Sequence, residues 1–565
     1  MAKGYRPVDR DQVFLFPPDM REWLPAGHPV HLVIAVVEDH LDTSAFHARR
    51  RTGGAGAAGY DPDMLVTVLV WAYAQGVRSS RRMEELCRTD VAFRLICAGN
   101  LPDHSTIARF RKDFGGAVAG FFTEVLILCA RLGMGRLGTV ALDGTKVAAS
   151  ASKAANRGEG KLRELAAEAV AAHAAADAAE DELYGEGRRG DEVPPEAWSP
   201  RGRAGRIAGA LAQLEAGRRA AEAERDAKAA EFRARREAGQ RTGPAPAGAA
   251  VALAQENLAR VIAEREAQLA RLAGRHAAGE PRRGRVAGVR DYCRVRQAAA
   301  KVERARQREA QRQAAAEQAA GPGPVRNITD PDSRLMPTRN GFIQGYNAQN
   351  VTSEDGLVIA TELTGDTTDM AWFAPMTARA QQAAALIGAH RPASGREAGD
   401  APGSSGIALV LADAGYCSED NLTCPGPDRL IAAGKRRDLE QAARDESGGA
   451  AGQDRGGTAV QAMRERLRTG DAIAAYRQRG HIAETPHGHI KHNMGFRQLS
   501  MRGKDKAAAE WTFACAIHNL FRALTAGHLT PPGPGRPGRL TPARQASDTA
   551  GSASRTQRSI PQQPV

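Results

Sequence analysis

The sequence predicts an α/β protein: a sheet core, an all-α region ahead of it and a long helical insertion within it. Three observations predict this. Apolar positions recur at helical spacing through the first 130 residues, two short apolar runs after residues 139 and 407 are each closed by an aspartate, and the stretch between them is rich in Ala, Arg and Glu but poor in aromatics. At 565 residues the chain exceeds one ordinary compact domain. The expected division is 1–130, 131–154 with 326–525, 155–325 as the insertion, and a tail at 526–565.

In the first region, Leu32, Val33, Val36 and Val37 share one helical face, and Met64, Leu65, Val68, Leu69 and Ala72 another. Pro62 stands where a helix can start, because proline lacks the N–H that a first turn leaves unbonded. Ser79-Ser80 offers caps to a turn at Arg81–Arg88, and Asp103 or Ser105 caps the next helix, which carries Arg109, Arg111 and Lys112. The region reads as short helices with basic edges.

Through 155–325, Gly/Pro clusters near 185–205, 237–249 and 277–288 break what are otherwise long helices. Leu258, Ile262, Arg265, Leu269 and Leu272 alternate in steps of four and three, a short heptad seam interrupted by the arginine. A helical hairpin arm is expected, with a solvated low-complexity insert as the alternative.

Strand signals surround this insert. Thr139–Leu142 ends in Asp143-Gly144-Thr145-Lys146, and Ile407–Ala412 ends in Asp413-Ala414-Gly415-Tyr416, so each apolar run is expected to deliver an aspartate at a strand's carboxyl end, where open α/β sheets place ligands. Residues 341–351 and 357–361 flank an Asp355-Gly356 turn and read as a hairpin. A helix from about Met370 to Gly388 follows, and Arg429–Ala433 fits one more strand. From Pro531 on, the Pro-, Gly-, Ser- and Arg-rich composition is that of a disordered basic tail.

The formal charge of +13 and pI near 9.7 favour a polyanionic partner, nucleic acid first. The 7 cysteines form no C-x-x-C pair, and the scattered histidines lack the paired spacing of a zinc site. The amino terminus has no apolar signal core, and no apolar run approaches the roughly 20 residues of a membrane span, so a cytoplasmic protein without a membrane partner is expected.

A third acid joins the two aspartates. If Thr485 caps a helix with Pro486 in its first turn, Glu484 stands at the entrance and Lys491 lies about two turns on along the same side. Three carboxylates about 4 Å apart repel by several kcal/mol per pair at a dielectric near 20, so such a cluster calls for cations. Oxygen ligands suit Mg²⁺ or Mn²⁺, and two ions about 3.5–4 Å apart suffice for phosphodiester chemistry. Arg479 offers a planar fork and Lys491 a mobile charge for phosphates.

Pro62–Leu65, Gly76–Glu84 and Pro102–Arg111 resemble the amino-terminal domain of DDE insertion-sequence transposases. Asp143–Lys146, Gly345–Gln349, Ala412–Tyr416, Tyr476–Lys491, Met494–Arg497, Arg502-Gly503 and His518–Leu520 resemble the catalytic blocks of the same proteins. One spacing differs: the family signature of Tyr, Arg, Glu and Lys has two, three and six residues between its members, and Tyr476, Arg479, Glu484 and Lys491 have two, four and six.

The resemblance implies a ribonuclease H-like mixed sheet core, with the first aspartate ending strand one, the second ending strand four, the glutamate on a late helix, and the insertion leaving between strands one and two. It implies an acidic triad of Asp143, Asp413 and Glu484 holding two Mg²⁺ or Mn²⁺ ions. It further implies a homodimer, nucleoid-associated in the cytoplasm, that cuts double-stranded DNA at terminal inverted repeats and joins the 3′-OH to target DNA. Arg78, Arg81, Arg82, Arg109 and Arg111 are then expected on the inverted repeats, with Lys146, Tyr476, Arg479 and Lys491 on the DNA at the site. An inactive DNA-binding relative, or a nuclease that cuts without joining, would share much of this sequence.

Overall fold

A computed structural model describes residues 22–48, 59–113, 115–184, 202–240, 246, 249–278, 281, 286–319, 324–392, 406–434 and 458–526. The expected basic tail lies outside these residues, apart from position 526. The chain divides into two compact units, one comprising Met1–Ser150 and Leu335–Val565, the other Ala151–Arg334.

The first unit opens with helices α1 (Pro29–Asp39), α2 (Ser44–His47), α3 (Pro62–Ala74), α4 (Ser80–Thr89), α5 (Val91–Cys97), α6 (His104–Asp113) and α7 (Gly115–Arg131). The local signals act as the sequence suggests. The Asp61 carboxylate caps α3 ahead of Pro62, Ser79 caps α4, and Asp103 accepts from the amides of Ser105 and Thr106 at 2.9 and 3.0 Å. Helix α3 is buried nearly all round from Leu65 to Tyr73, because other elements cover every face of it.

Strand β1 (Thr139–Ala148) then leaves for the second unit, which holds β2 (Asn156–Gly158), α8 (Glu159–Tyr184), α9 (Arg203–Glu237), α10 (Ala249–Ala277), α11 (Cys293–Ala319) and β3 (Val325–Asn327). The helices stop and restart at the Gly/Pro breaks. Strands β2 and β3 pair antiparallel. Leu162 of α8 packs with Ile207, Ala210 and Leu214 of α9, while α10 and α11 lie along each other. The expected heptad seam is displaced by the burial pattern: Leu253, Val261 and Arg265 are the buried positions, and Leu272 is exposed. The arginine that flawed the seam is inside because its guanidinium stacks over the Tyr292 ring at 4.3 Å and donates to the Ala287 carbonyl at 2.5 Å.

Beyond the insertion come β4 (Arg334–Thr338), β5 (Gly341–Ser353), β6 (Val358–Thr364), α12 (Phe373–His390), β7 (Leu409–Ala412), α13 (Glu419–Thr423), β8 (Asp428–Ile431), α14 (Thr458–Arg466), α15 (Gly470–Gly488), a π-helical turn (His489–Asn493) and α16 (Lys504–Thr525). The sheet runs β4-β5-β1-β7-β8, with β6 also on β5. It is mixed: β1–β5 and β5–β6 are antiparallel, β1–β7 and β7–β8 parallel. Helix α16 carries Trp511, Phe513, Cys515, Ile517 and Leu520 into the core, and Phe513 meets Phe121 of α7 and Tyr73 of α3 at ring separations of 5.4 and 5.3 Å. Asn519 clamps β6 by accepting from the Val358 amide and donating to its carbonyl, each at 2.8 Å.

Two expectations are corrected. Strand β1 does not end at Leu142; it continues to Ala148 because β5 pairs with it from Val140 to Ala148. What ends at Leu142 is the parallel partner, since β7 stops at Ala412 opposite it. Nor does a helix begin at Thr485. Helix α15 starts after Thr469, whose hydroxyl caps the Ala472 amide, and runs through buried Pro486, so Glu484 is in the helix body and not at its entrance.

Candidate active site

The ending of β7 makes the site. Leu142 and Ala412 are register partners on adjacent parallel strands, so the next residues, Asp143 and Asp413, stand side by side where that pairing ends. Asp413 follows its strand into a tight turn and accepts from the Gly415 amide at 2.9 Å. Asp143 remains in the β1–β5 ladder and accepts from the Gly144 amide at 3.0 Å.

Successive strand residues face opposite sides, and register partners share a side. Asp143 and its partner Asn350 therefore face α15, while Gly144, Lys146, Asn347 and Gln349 face the other side. On the α15 side, Arg479 Nη1 lies 3.6 Å from Asp143 Oδ1 and His487 Nδ1 3.8 Å from Oδ2. Burial pushes the Asp143 carboxyl up to about 6, against the pull of Arg479 and with the help of Asp413. Burial also raises Asp413. Loss of solvation is the first cause in both, with Asp413 adding to the rise of Asp143 and Asp369 to that of Asp413.

The His487 tautomer follows from its neighbours. An indole N–H can only donate, so the Trp511 Nε1 bond of 3.2 Å fixes the Asn350 oxygen, which also accepts from Thr361 at 2.6 Å. The Asn350 amide nitrogen then donates to His487 Nε2 at 3.1 Å. Burial holds this imidazole neutral, down to about 3, so its proton sits on Nδ1, the nitrogen nearest Asp143. Lys491, in the π-helical turn, donates to the Thr145 hydroxyl and, at 2.8 Å, to the Lys146 carbonyl; burial lowers it to about 8. Tyr476 OH bonds the Ala412 carbonyl at 3.2 Å, tying α15 to the end of β7.

The opposite face holds a residue that the sequence reading missed. Asp369 Oδ1 accepts from Asn347 at 2.6 Å, Gln349 at 2.7 Å and Lys146 at 3.4 Å, and Tyr416 donates to Gln349 in turn. A Cβ on Gly144 would stand 2.5 Å from Asp369 Oδ1 and 2.6 Å from Gln349 Nε2, and one on Gly415 would stand 3.3 Å from Asp369 Oδ2. The glycine after each site aspartate clears room for this third carboxylate. That is the signal in Asp-Gly and Asp-Ala-Gly, hidden because both also read as ordinary turns.

Glu484 is placed differently. Arg479, Ala483 and His487 form the face of α15 turned to the sheet, and Glu484 is one step past Ala483, about 100° around the helix and exposed. It forms no ion pair among the described residues. Of the arginines expected on DNA, Arg81, Arg82 and Arg109 are exposed, Arg82 pairing with Glu85. Arg78 lies over the Phe496 ring and donates to the Gln498 carbonyl at 3.0 Å. Arg111 is buried, contrary to expectation. Its guanidinium donates to the Arg78 carbonyl at 2.6 Å, Ser500 at 2.6 Å and Tyr73 at 2.8 Å, and faces Glu510 at 3.4 Å. Elsewhere, His47, Asp61 and Asp63 form a cluster, in which Asp61 caps α3 and Asp63 bonds His47 at 2.9 Å.

Among the described residues, no single helix is long and apolar enough to cross a membrane. Residues 18–113 match the family model of the transposase domain (DUF772), and residues 453–524 that of the transposase DDE domain. No curated protein and no solved structure matches the chain.

Proposed function

We propose that this chain, which matches a transposase domain and a transposase DDE domain, acts on DNA as an insertion-sequence DDE transposase, with Asp143 and Asp413, and Glu484 on the flank of α15, as its catalytic acids. The observation that carries this reading is the end of the β1–β7 pairing, which sets two half-buried aspartates side by side, one of them pushed up to about 6. The ribonuclease H-like core is supported by the same sheet, in which β1 lies between the hairpin strand β5 and the parallel β7.

A divalent cation fits this donor set. The carboxylates of Asp143 and Asp413 are hard oxygen ligands, and their raised affinity for protons is what a cation-binding pair shows without its cation. Asp143, Asp413 and Glu484 would hold Mg²⁺ or Mn²⁺, in two ions. Such ions activate an attacking oxygen and stabilise a leaving one.

The chain's own residues do the rest. Arg479, whose Nη1 faces Asp143 at 3.6 Å, would add the positive charge that draws a backbone phosphate to the site. Lys491 and Lys146 add positive charge on the two faces of β1, and His487 Nδ1–H steadies Asp143. Arg78, Arg81, Arg82 and Arg109 would contact the inverted repeats, and a homodimer would hold two ends together.

The test is strand transfer in Mg²⁺ on DNA carrying the element's ends. Asp143→Ala, Asp413→Ala and Glu484→Ala should each bind DNA and neither cut nor join it. A Glu484→Ala variant that still joins would move the third acid elsewhere; a wild type that binds without cutting would favour a DNA-binding protein lacking catalysis.

A further inference from the structure

Helix α11 carries a charge pattern that its neighbour does not. At about 100° per residue, Lys301, Arg304, Arg308 and Arg312 fall within an arc of about 80°, and all four are exposed. The helix's acids up to this point, Glu303 and Glu309, lie outside that arc. Val295, Ala298 and Val302 mark the buried side, about a quarter turn away. None of the four cations has an ion-pair partner within 4 Å among the described residues, whereas Arg294, at the start of the same arc, faces Glu264 at 3.5 Å.

Helix α9, in the same unit and equally rich in arginine, is the control. There Lys228 pairs with Glu224 at 2.6 Å, Arg235 with Glu231 at 2.6 Å, Arg233 with Glu256 at 3.5 Å and Arg218 with Glu159 at 3.2 Å. This is how a solvated helix neutralises its surface. On α11 the like charges stand three and four residues apart, where they repel, and among the described residues no carboxylate lies within 4 Å of them.

We propose that the Lys301–Arg304–Arg308–Arg312 face of α11 binds the sugar-phosphate backbone of duplex DNA, making the helical insertion a second DNA contact of the enzyme. The inference rests on the reading of the chain as one that acts on DNA. The eleven steps from Lys301 to Arg312 rise about 16 Å along the helix, and duplex DNA offers a negative charge every ~1.7 Å of its axis, so four cations find phosphates without sequence preference. The aliphatic stems lie along the helix and the charged heads reach outward, as backbone contacts require.

The experiment measures binding of the full-length chain to a fluorescent 40-base-pair duplex across a salt series. Wild type is compared with the Lys301→Gln, Arg304→Gln, Arg308→Gln, Arg312→Gln combination and with an α9 combination of Lys228→Gln, Arg233→Gln and Arg235→Gln. Glutamine is a good helix former, and a set exchanging Lys for Arg and Arg for Lys at the four positions preserves charge should helicity suffer. The slope of log affinity against log salt should flatten by about 3–4 in the α11 glutamine set, at about 0.9 per lost phosphate contact, and by less than about 1 in the α9 set and the charge-preserving set. An α11 slope within about 1 of wild type would overturn the proposal and leave the function intact. Equal flattening from α9 would overturn it too, by showing a diffuse charge effect. A wild type with no affinity for the duplex would overturn the reading of the whole chain.

Discussion

Two buried arginines, Arg111 in the first unit and Arg265 in the second, are 7% and 6% exposed and are held by different means. Arg111 faces a fully buried carboxylate, Glu510, which Tyr73 and Ser500 also bond and whose second oxygen accepts from the amides of Ser500 and Met501. Arg265 has no carboxylate partner among the described residues; an aromatic face, a glutamine oxygen and a backbone carbonyl hold it. The first ties the region matching one transposase family model to the region matching the other, and its charge is balanced inside. The second is held by an aromatic ring and neutral oxygens, with no opposite charge to balance it among the described residues. A buried charge therefore marks the architecture in one unit and only fills a seam in the other.

The comparison breaks most easily at Glu510. Glu510→Ala leaves the Arg111 charge unbalanced and should cost about 3–5 kcal/mol in urea unfolding, while Arg111→Met with Glu510→Leu should recover much of it. A loss below about 1 kcal/mol would mean that Arg111 reaches solvent and that the two arginines are alike. Next comes Gly144→Ala. Its methyl would drive into Asp369 and Gln349, an overpacking worth about 1–3 kcal/mol, and cleavage should fall with stability. Unchanged unfolding would show that the Asp369 cluster yields freely.

Asp143 extends the comparison to a half-buried charge that is poorly balanced. Its carboxyl stands at about 6 in the folded chain against an ordinary 3.8, raised first by burial, with Arg479 opposing and Asp413 adding to it. Between these values the folded chain keeps a proton that the unfolded chain has lost, so metal-free stability falls as pH rises from about 4 to about 6 and stays reduced above. Asp143→Asn should stabilise the chelator-treated protein by about 1–3 kcal/mol at pH 7.5 and by almost nothing near pH 4. A gain equal at both pH values would remove ionisation from the account. The smallest effect is expected at Arg265, where Arg265→Met should change stability by less than about 1.5 kcal/mol in either direction, read from the same urea midpoint.

Much of the fold was legible because its signals are local. The helix start at Pro62, caps at Ser79 and Asp103, the hairpin turn at Asp355-Gly356, the apolar runs before Asp143 and Asp413, and the helix breaks of the insertion each depend on a few consecutive residues. The errors arose where a distant partner decided. Strand β1 outran its apolar run because β5 goes on pairing with polar residues, and α15 ran through Pro486 because its start was set at Thr469. Asp369 had no local mark at all. Its evidence is the absence of side chains at Gly144 and Gly415, which becomes meaningful only when the three positions meet.

The sequence by itself determined the chemistry on offer: two aspartates closing apolar runs, a basic chain, and blocks in the order of a transposase. Those properties live in residue type and spacing, which folding does not alter. The tertiary structure decided which charges are free to act. Arg111 looked like its basic neighbours and is spent on Glu510, Arg265 looked like a fault and is a seam residue, and Lys301, Arg304, Arg308 and Arg312 have no ion pair among the described residues. Whether a charge is buried, paired or exposed depends on what another part of the chain brings within a few ångströms of it, and no local stretch of sequence contains that distance.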